Sequence, residues 1–189
     1  MKINLCVLAP VSLVAATVLA LTGCGSQTAS TAGSSPTAAA SSTDPGSSGG
    51  AGTAYVVGDG GVTVTGDVGA KPTVAIGDGT KDTTQLTVKD LVVGTGPEAK
   101  PGDTITAHYV GVGAISGKQF DSSWDRGQAA QFPLSGVILG WQNGIPGMKV
   151  GGRRLLVIPG DQAYGANSPS PDIAPNEALV FVVDLVSIP

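Results

Sequence analysis

Few side chains in this 189-residue sequence could carry nucleophilic or metal chemistry. His108 is its single histidine, and its two cysteines, Cys6 and Cys24, lie near the start. A catalytic nucleophile needs a base close by, and a zinc site needs clustered His and Cys ligands. Neither arrangement is indicated. We therefore expect His108 to be an ordinary strand residue, and we expect no metal and no cofactor.

One loop of the chain brings two carboxylates and an arginine close together in sequence. Asp121 and Asp125 stand four residues apart, and Arg126 follows directly. Such a carboxylate pair could serve acid–base catalysis or hold a cation. Beside an arginine in a loop, an ion pair or a turn-stabilising role is expected for at least one of them. The remaining lysines and arginines are scattered and the formal net charge is −4, so nucleic acid is not an expected partner.

The aromatic residues are concentrated in one region. The sequence is only 4% aromatic, yet a single aromatic residue, Tyr55, lies outside positions 109–181. Rings and apolar side chains with few ionisable groups favour a site that binds an apolar group over one that transfers protons.

The first 24 residues have the layout of an export signal. Lys2 is followed by an uncharged apolar stretch over residues 3–21. A membrane-spanning helix is the alternative, because a span needs about 20 apolar residues. However, the ending LTGC at 21–24 resembles the lipobox of bacterial lipoproteins, in which the cysteine is acylated and begins the mature chain. We therefore expect a signal peptide over 1–23 and a lipid anchor at Cys24, on the extracytoplasmic face of the cell membrane.

Composition divides the rest of the chain. Residues 24–53 are almost entirely Gly, Ala, Ser, Thr and Pro, which predicts a disordered tether with an r.m.s. span of roughly 30 Å. Residues 54–85 alternate β-branched residues with Gly, Asp and Pro, which predicts a β-rich extension. The extension either packs on the main domain or leads loosely to it. The main domain is expected over 86–189.

Within the main domain, several segments show the two-residue alternation of β-strands. In the segment 103–112, the side chains of Ile105, Ala107 and Tyr109 share one face. Four or five such strands, joined by Gly, Pro and Asp turns, predict an antiparallel sheet with one buried face. The segments are 86–93, 103–112, 152–159 and 177–188.

One short helix is expected between these strands. Ile138, Trp141 and Ile145 are spaced by three and four residues, so they lie on one helical face. Pro146 and Gly147 should end the helix. Because a lone short helix must bury its apolar face, Trp141 should point toward the sheet.

The main domain resembles, in order and at the expected spacing, the FKBP-type peptidyl-prolyl cis-trans isomerases. The stretches that carry the resemblance are VVGTGPEAKPGDTITAHYVG, GKQFDSSWDRG, FPLSGVILGWQNGIPGMKVGGRRLLVIP, AYGA and LVFVVDLVSI. The resemblance covers about residues 86–189. It implies an α+β fold, in which an antiparallel sheet of about five strands curls round one short helix.

The resemblance also implies a hydrophobic prolyl pocket between helix and sheet, with Trp141 as its floor. The Ile138 backbone N–H and the Tyr164 hydroxyl would donate hydrogen bonds to carbonyls of the bound peptide. Asp121 would lie at the pocket edge, held by Arg126 and near the Tyr109 hydroxyl. The walls would be formed by Tyr109, Phe120, Val137, Ile138, Ile173 and Phe181.

The sequence departs from the family pattern at the rim of this pocket. Ala130 stands where an aromatic residue is common, which would lower one wall. The link Ser135-Gly136 is shorter than in many members. Pro169 and Asp172 stand where a polar or apolar rim residue is usual. The charge of Asp172, beside Ile173, could change substrate preference or weaken macrolide binding.

The function implied is a monomeric prolyl isomerase that assists the folding of exported proteins and takes proline-containing peptides as substrates. Macrolide inhibitors are possible further ligands. The alternative is a binding or chaperone module of the same fold, with little or no catalysis. A domain that only serves as a spacer would have no need of an apolar pocket.

Overall fold

The computed structural model describes residues 55–57 and 61–189, which belong to one compact unit. The predicted signal peptide over 1–23, the predicted lipidation site Cys24 and the predicted tether over 24–53 lie outside these residues. No helix of the described part is long and apolar enough to cross a membrane.

Six strands form the main sheet, and all their pairings are antiparallel. The strand order is β4-β8-β9-β5-β6, and β7 also pairs with β5. Because β6 and β7 lie end to end along one edge of β5, the sheet is five strands wide, as the sequence predicts. The strands are β4 (Thr87–Val92), β5 (Thr104–Gly113), β6 (Gln119–Ser122), β7 (Ala130–Pro133), β8 (Arg153–Ile158) and β9 (Leu179–Ser187).

The predicted alternation of β5 is confirmed. Ile105, Ala107 and Tyr109 are buried, whereas Thr104, Thr106 and His108 are partly exposed. These buried residues belong to the core that lies between the sheet and the helix.

The helix, α1 (Leu139–Gly144), carries Trp141 onto that core. Ile138 is its N-cap and Ile145 its C-cap, and Gly147 then adopts a left-handed φ of 84°. Gly140 and Gly144 lie against Ile158 and Leu156 of β8, where any side chain would clash. These two glycines therefore let the helix approach the sheet closely.

Arg154 fastens the end of α1 to the sheet. Its guanidinium donates to the carbonyls of Gly144 at 2.8 Å and Pro146 at 3.1 Å, and it pairs with Asp90 of β4 at 2.6 Å. Carbonyls at a helix C-terminus lack partners within the helix, so this arginine satisfies them. These contacts hold the C-terminal end of α1, and with it Trp141, against the sheet.

The expectation that only one face of the sheet is buried is wrong for β8 and β9. Every residue of β8 is buried, as are Leu179–Leu185 of β9. The second face is covered by a three-stranded antiparallel sheet made of β1 (Tyr55–Val57), β2 (Val62–Thr65) and β3 (Thr73–Ile76). Of the two alternatives for the N-terminal extension, the structure has the packed one.

Aliphatic side chains form the contact between the two sheets. Val62 and Val64 of the extension are 1% and 0% exposed. They pack in one cluster with Leu91, Leu155, Val157, Val180 and Val182 of the main sheet, and with Val74 and Ile76 of β3. Burial of this kind contributes about 1.5–3 kcal/mol for each fully buried aliphatic side chain.

Candidate active site

A cluster of aromatic rings lies between α1 and the concave side of the sheet. Trp141 stands nearly perpendicular to the rings of Tyr109 and Phe181, with centroids 5.7 Å and 5.4 Å away. Phe120 packs edge-on against Phe181 at 5.6 Å, and Phe132 against Trp141 at 5.5 Å and 68°. These are the edge-to-face contacts that aromatic quadrupoles favour. The rings therefore hold one another in fixed orientations.

The rings line a cavity of about 270 Å³ that is open to solvent. Trp141, which the resemblance makes the pocket floor, is 4% exposed and lines the cavity. The cavity is apolar except at one edge, where Asp121 lies. Its lining residues are Tyr109, Phe120, Asp121, Phe132, Gly136, Val137, Ile138, Trp141, Tyr164 and Phe181.

The polar edge is a network of three side chains. The Tyr109 hydroxyl donates to one carboxylate oxygen of Asp121, and Arg126 donates to the other. A second arm of Arg126 donates to the Tyr109 hydroxyl at 2.6 Å. The Ser122 backbone N–H also donates to Asp121, at 2.8 Å. The side chains of Asp121 and Arg126 remain 40% and 46% exposed, so the pair can respond to a ligand.

These contacts set the protonation states of the edge. Burial favours the neutral form of Asp121, but the hydrogen bonds from Tyr109 and Arg126 outweigh it and lower the pKa of this carboxyl. Burial, aided by the hydrogen bond to Asp121, raises the pKa of Tyr109 to about 12. At neutral pH the edge therefore presents a carboxylate, a neutral phenol and a guanidinium.

Two groups at the rim are available to a peptide backbone. Ile138 is extended at φ −59° and ψ 152°, and as the N-cap it does not need its own N–H for the helix. Tyr164 also lines the cavity and is 36% exposed. Burial raises the pKa of Tyr164, so its hydroxyl stays protonated and can donate.

Of the predicted site residues, two lie outside the cavity lining. Ile173 packs in the buried core at 4% exposure, and Arg126 lies behind Asp121 rather than in the wall. Sequence reasoning missed Phe132 and Gly136, which both line the cavity. Phe132 stands two residues after Ala130 in β7, so strand alternation places both on one face and could have identified it.

The departures from the family pattern fall at different distances from the cavity. Gly136 ends the short 3₁₀ turn Leu134–Gly136 and brings the chain directly to the cavity wall. Pro169 and Asp172 are exposed and do not line the cavity. The Asp172 carboxylate accepts a hydrogen bond from the Ser170 hydroxyl at 3.4 Å. The charge of Asp172 thus lies outside the wall itself.

The other candidates for chemistry have structural roles. His108 stacks on Trp124 with centroids 3.8 Å apart, and its Nδ1 lies 3.0 Å from the Ser123 hydroxyl. Asp125 pairs with Lys71 of the extension at 2.5 Å. Over residues 61–189, no group of His, Cys, Asp and Glu is arranged to hold a metal ion.

Comparisons with known proteins agree with this geometry. Residues 96–186 match the model of the family described as FKBP-type peptidyl-prolyl cis-trans isomerase. A probable FK506-binding protein of Corynebacterium glutamicum is 55% identical over 102 residues, which are 54% of this chain and 86% of that protein. The FK506-binding protein of Streptomyces anulatus is 50% identical over 106 residues, with the same shares.

Solved structures show the same similarity. The crystal structure of FkpA from Escherichia coli is 41% identical, with a TM-score of 0.51 over 57% of this chain and 50% of that one. A peptidyl-prolyl cis-trans isomerase from Pseudomonas syringae is 37% identical, with a TM-score of 0.50 over 55% and 74%. The chain therefore belongs to the family of FKBP-type peptidyl-prolyl cis-trans isomerases.

Proposed function

We propose that this isomerase accelerates X-Pro bond rotation in exported proteins at the outer face of the cell membrane, with Asp121, Tyr109, Tyr164 and Ile138 acting on the bound peptide. Membership of the family makes the chain a peptidyl-prolyl cis-trans isomerase. The clients, the membrane location and the roles of individual residues are the proposed part.

The roles proposed for these residues are supported by one observation, an apolar cavity with a polar edge at Asp121. Rotation about a peptide bond meets a barrier of about 18–20 kcal/mol, because resonance gives the C–N bond double-bond character. The planar amide is more dipolar than the twisted one. A cavity lined by Trp141, Phe120 and Phe181 removes water from the amide and so disfavours the planar ground state relative to the twisted transition state.

The polar groups then act on the two sides of the twisting bond. The Ile138 N–H and the Tyr164 hydroxyl hold carbonyls of the peptide, so that the chain on one side of the bond stays fixed. The Asp121 carboxylate, held by Arg126 and Tyr109, places negative charge at the cavity edge. Hydrogen bonds and charges that fit the twisted geometry better than the planar one lower the barrier. The reaction requires no nucleophile, since no covalent bond is made or broken.

A protease that cleaves only trans X-Pro peptides measures this activity. The uncatalysed bond interconverts over tens to hundreds of seconds. We expect the full chain to shorten that time, and Trp141→Ala combined with Asp121→Ala to return it to the uncatalysed value. Asp67→Asn, at an exposed position of the extension, is the control and should retain full activity. No acceleration by the unaltered chain, or full activity in the double variant, would refute the assignment.

The location rests on the sequence around Cys24. An acylated cysteine followed by the 24–53 tether would hold the isomerase at the membrane surface, where exported chains emerge unfolded. Mass spectrometry of the mature protein should find acyl chains on Cys24 as its first residue, and Cys24→Ser should abolish this acylation. An unmodified chain that retains Met1 would contradict the anchor.

Macrolides are a second class of ligand that we propose for the same cavity. The family binds proline-containing peptides and macrolides, and two of the relatives are named as FK506-binding proteins. We also propose that the chain acts as a monomer. Quenching of Trp141 fluorescence by FK506, in a Trp124→Phe background, tests the binding, and sedimentation tests the monomer.

A further inference from the structure

We propose that the N-terminal extension positions the active-site Arg126 through the contact between Lys71 and Asp125. The inference rests on the proposed role of Arg126 in holding Asp121. Residues 61–85 lie outside the stretch that matches the family model, which starts at residue 96. Lys71 and Asp125 would then be positioning residues, because neither touches the cavity.

The extension is fastened to the main sheet by a buried ion pair. Arg153 of β8 and Asp184 of β9 lie opposite each other and are 0% and 6% exposed, and Nε of Arg153 is 2.5 Å from Asp184. The remaining donors of Arg153 reach the carbonyls of Gly66 and Ala70, each at 2.7 Å. The Gly69 N–H in turn donates to the Asp184 carboxylate at 2.9 Å, so both members of the ion pair bind the backbone of the extension. The turn over residues 66–70 is thus held in a fixed place.

Lys71 follows that turn directly, so its backbone is placed by the same contacts. Its ammonium group lies 2.5 Å from one carboxylate oxygen of Asp125. The other oxygen accepts from Gln119 of β6 at 2.6 Å. Both oxygens of Asp125 are therefore occupied, one by the extension and one by the main sheet.

Asp125 lies in the loop 122–127, whose successive residues are held by different parts of the molecule. Ser123 accepts from the Tyr109 N–H of β5 at 2.8 Å, and Trp124 stacks on His108. Asp125 is bound to the extension, and Arg126 to Asp121 and the Tyr109 hydroxyl. A shift of Asp125 therefore moves Arg126, because the two share a peptide bond.

The test compares two lysines of the extension in the full chain. Lys71→Met removes the contact with the loop. Lys81→Met is the matched control, since Lys81 pairs with Asp78 three residues away and is 43% exposed, close to the 41% of Lys71. Both variants lose one exposed ion pair, so their unfolding free energies should match. Lys71→Arg keeps the cation and should retain activity.

We expect Lys71→Met to lower kcat/KM about two- to fivefold, the range open to an exposed ion pair, and Lys81→Met to leave it unchanged. The effect should fade in 1 M salt, where charges are screened within about 3 Å. The pKa of Asp121, followed by carboxyl NMR, should rise in Lys71→Met alone, because a displaced Arg126 stabilises the carboxylate less.

Unchanged kcat/KM and an unchanged Asp121 pKa in Lys71→Met would overturn the inference, as would equal effects of the two lysine variants. An inactive unaltered chain would instead refute the proposed function. In that case the Asp121 pKa would still decide whether the extension positions Arg126.

Discussion

Two Asp–Arg pairs on opposite faces of the main sheet, Asp121–Arg126 and Asp184–Arg153, differ in their exposure and in their surroundings. On the cavity face, Asp121 and Arg126 are 40% and 46% exposed and lie beside aromatic rings. On the outer face, Asp184 and Arg153 are 6% and 0% exposed and lie among aliphatic residues under the extension. The first pair can meet a ligand, whereas the second is sealed from solvent.

The difference teaches how one sheet serves both stability and activity. The cavity face leaves space unfilled and keeps its charges accessible, which a binding site requires but a core does not. The outer face fills its space with side chains and pairs its buried Arg153 with Asp184, since a buried unpaired charge is costly. Consecutive residues of β8 serve the two faces, because Arg153 points to the extension and Arg154 to the end of α1.

The largest effect is expected when the sealed pair is broken. Arg153→Met leaves the Asp184 carboxylate buried without its partner and should lower the free energy of unfolding by about 3–5 kcal/mol. Urea denaturation of the full chain measures this. Adding Asp184→Leu should recover most of the loss, because the charge is then gone. Full stability in Arg153→Met would mean that the ion pair does not hold the extension.

The matching change on the cavity face should cost much less stability. Arg126→Met breaks a pair that is almost half exposed, so the free energy of unfolding should fall by at most about 1 kcal/mol. The activity should respond instead, with kcat/KM falling roughly fivefold as Asp121 loses its orientation. A large loss of stability with unchanged activity would reverse the proposed division between the faces.

A further effect is expected at high pH, from Tyr109. Its pKa is raised to about 12, whereas an unfolded tyrosine titrates near 10. Between these values the folded chain holds the proton that the unfolded chain releases, so stability should fall as the pH rises from about 10 to 12. Absorbance at 295 nm should show one of the three tyrosines titrating last, and Tyr109→Phe should remove that step. Loss of an early step instead would contradict the assignment.

Acid should act through Asp121 with the opposite sign. The pKa of this carboxyl is lowered in the folded chain, so the stability it contributes is present above the ordinary value of about 4 and is lost as the pH falls through the folded value. Asp121→Asn should flatten this part of the stability profile measured by urea denaturation. An unaltered acid limb in that variant would show that other carboxylates govern it.

The cavity face was largely predictable from the sequence, and the outer face was not. Alternation placed Ile105, Ala107 and Tyr109 on one side of β5, and the 3–4 spacing placed Trp141 on the helix. The apolar runs of β8 and β9 are the signal of burial on both faces that the single-face expectation overlooked. The pairing of Arg153 with Asp184 depends on the register of two strands 31 residues apart, which local patterns do not contain.

The site shows the same limit on a smaller scale. The aromatic floor and the Asp121–Arg126 pair follow from motifs that are local in sequence. Phe132 lies on the same face of β7 as Ala130 and supplies an aromatic ring to the cavity wall two residues further along the strand. The contact of Lys71 with Asp125 joins residues 54 positions apart and required the fold.

The most direct test of this account compares two neighbouring residues of β9. Phe181 lines the cavity, and Val182 packs against the extension on the other face. The measurement is kcat/KM for X-Pro isomerisation at a temperature where both variants are fully folded. We predict that Phe181→Leu lowers it roughly tenfold or more, as expected when a pocket wall is reshaped, and that Val182→Ala leaves it unchanged. Equal losses in the two variants would contradict the assignment of catalysis to one face of the sheet.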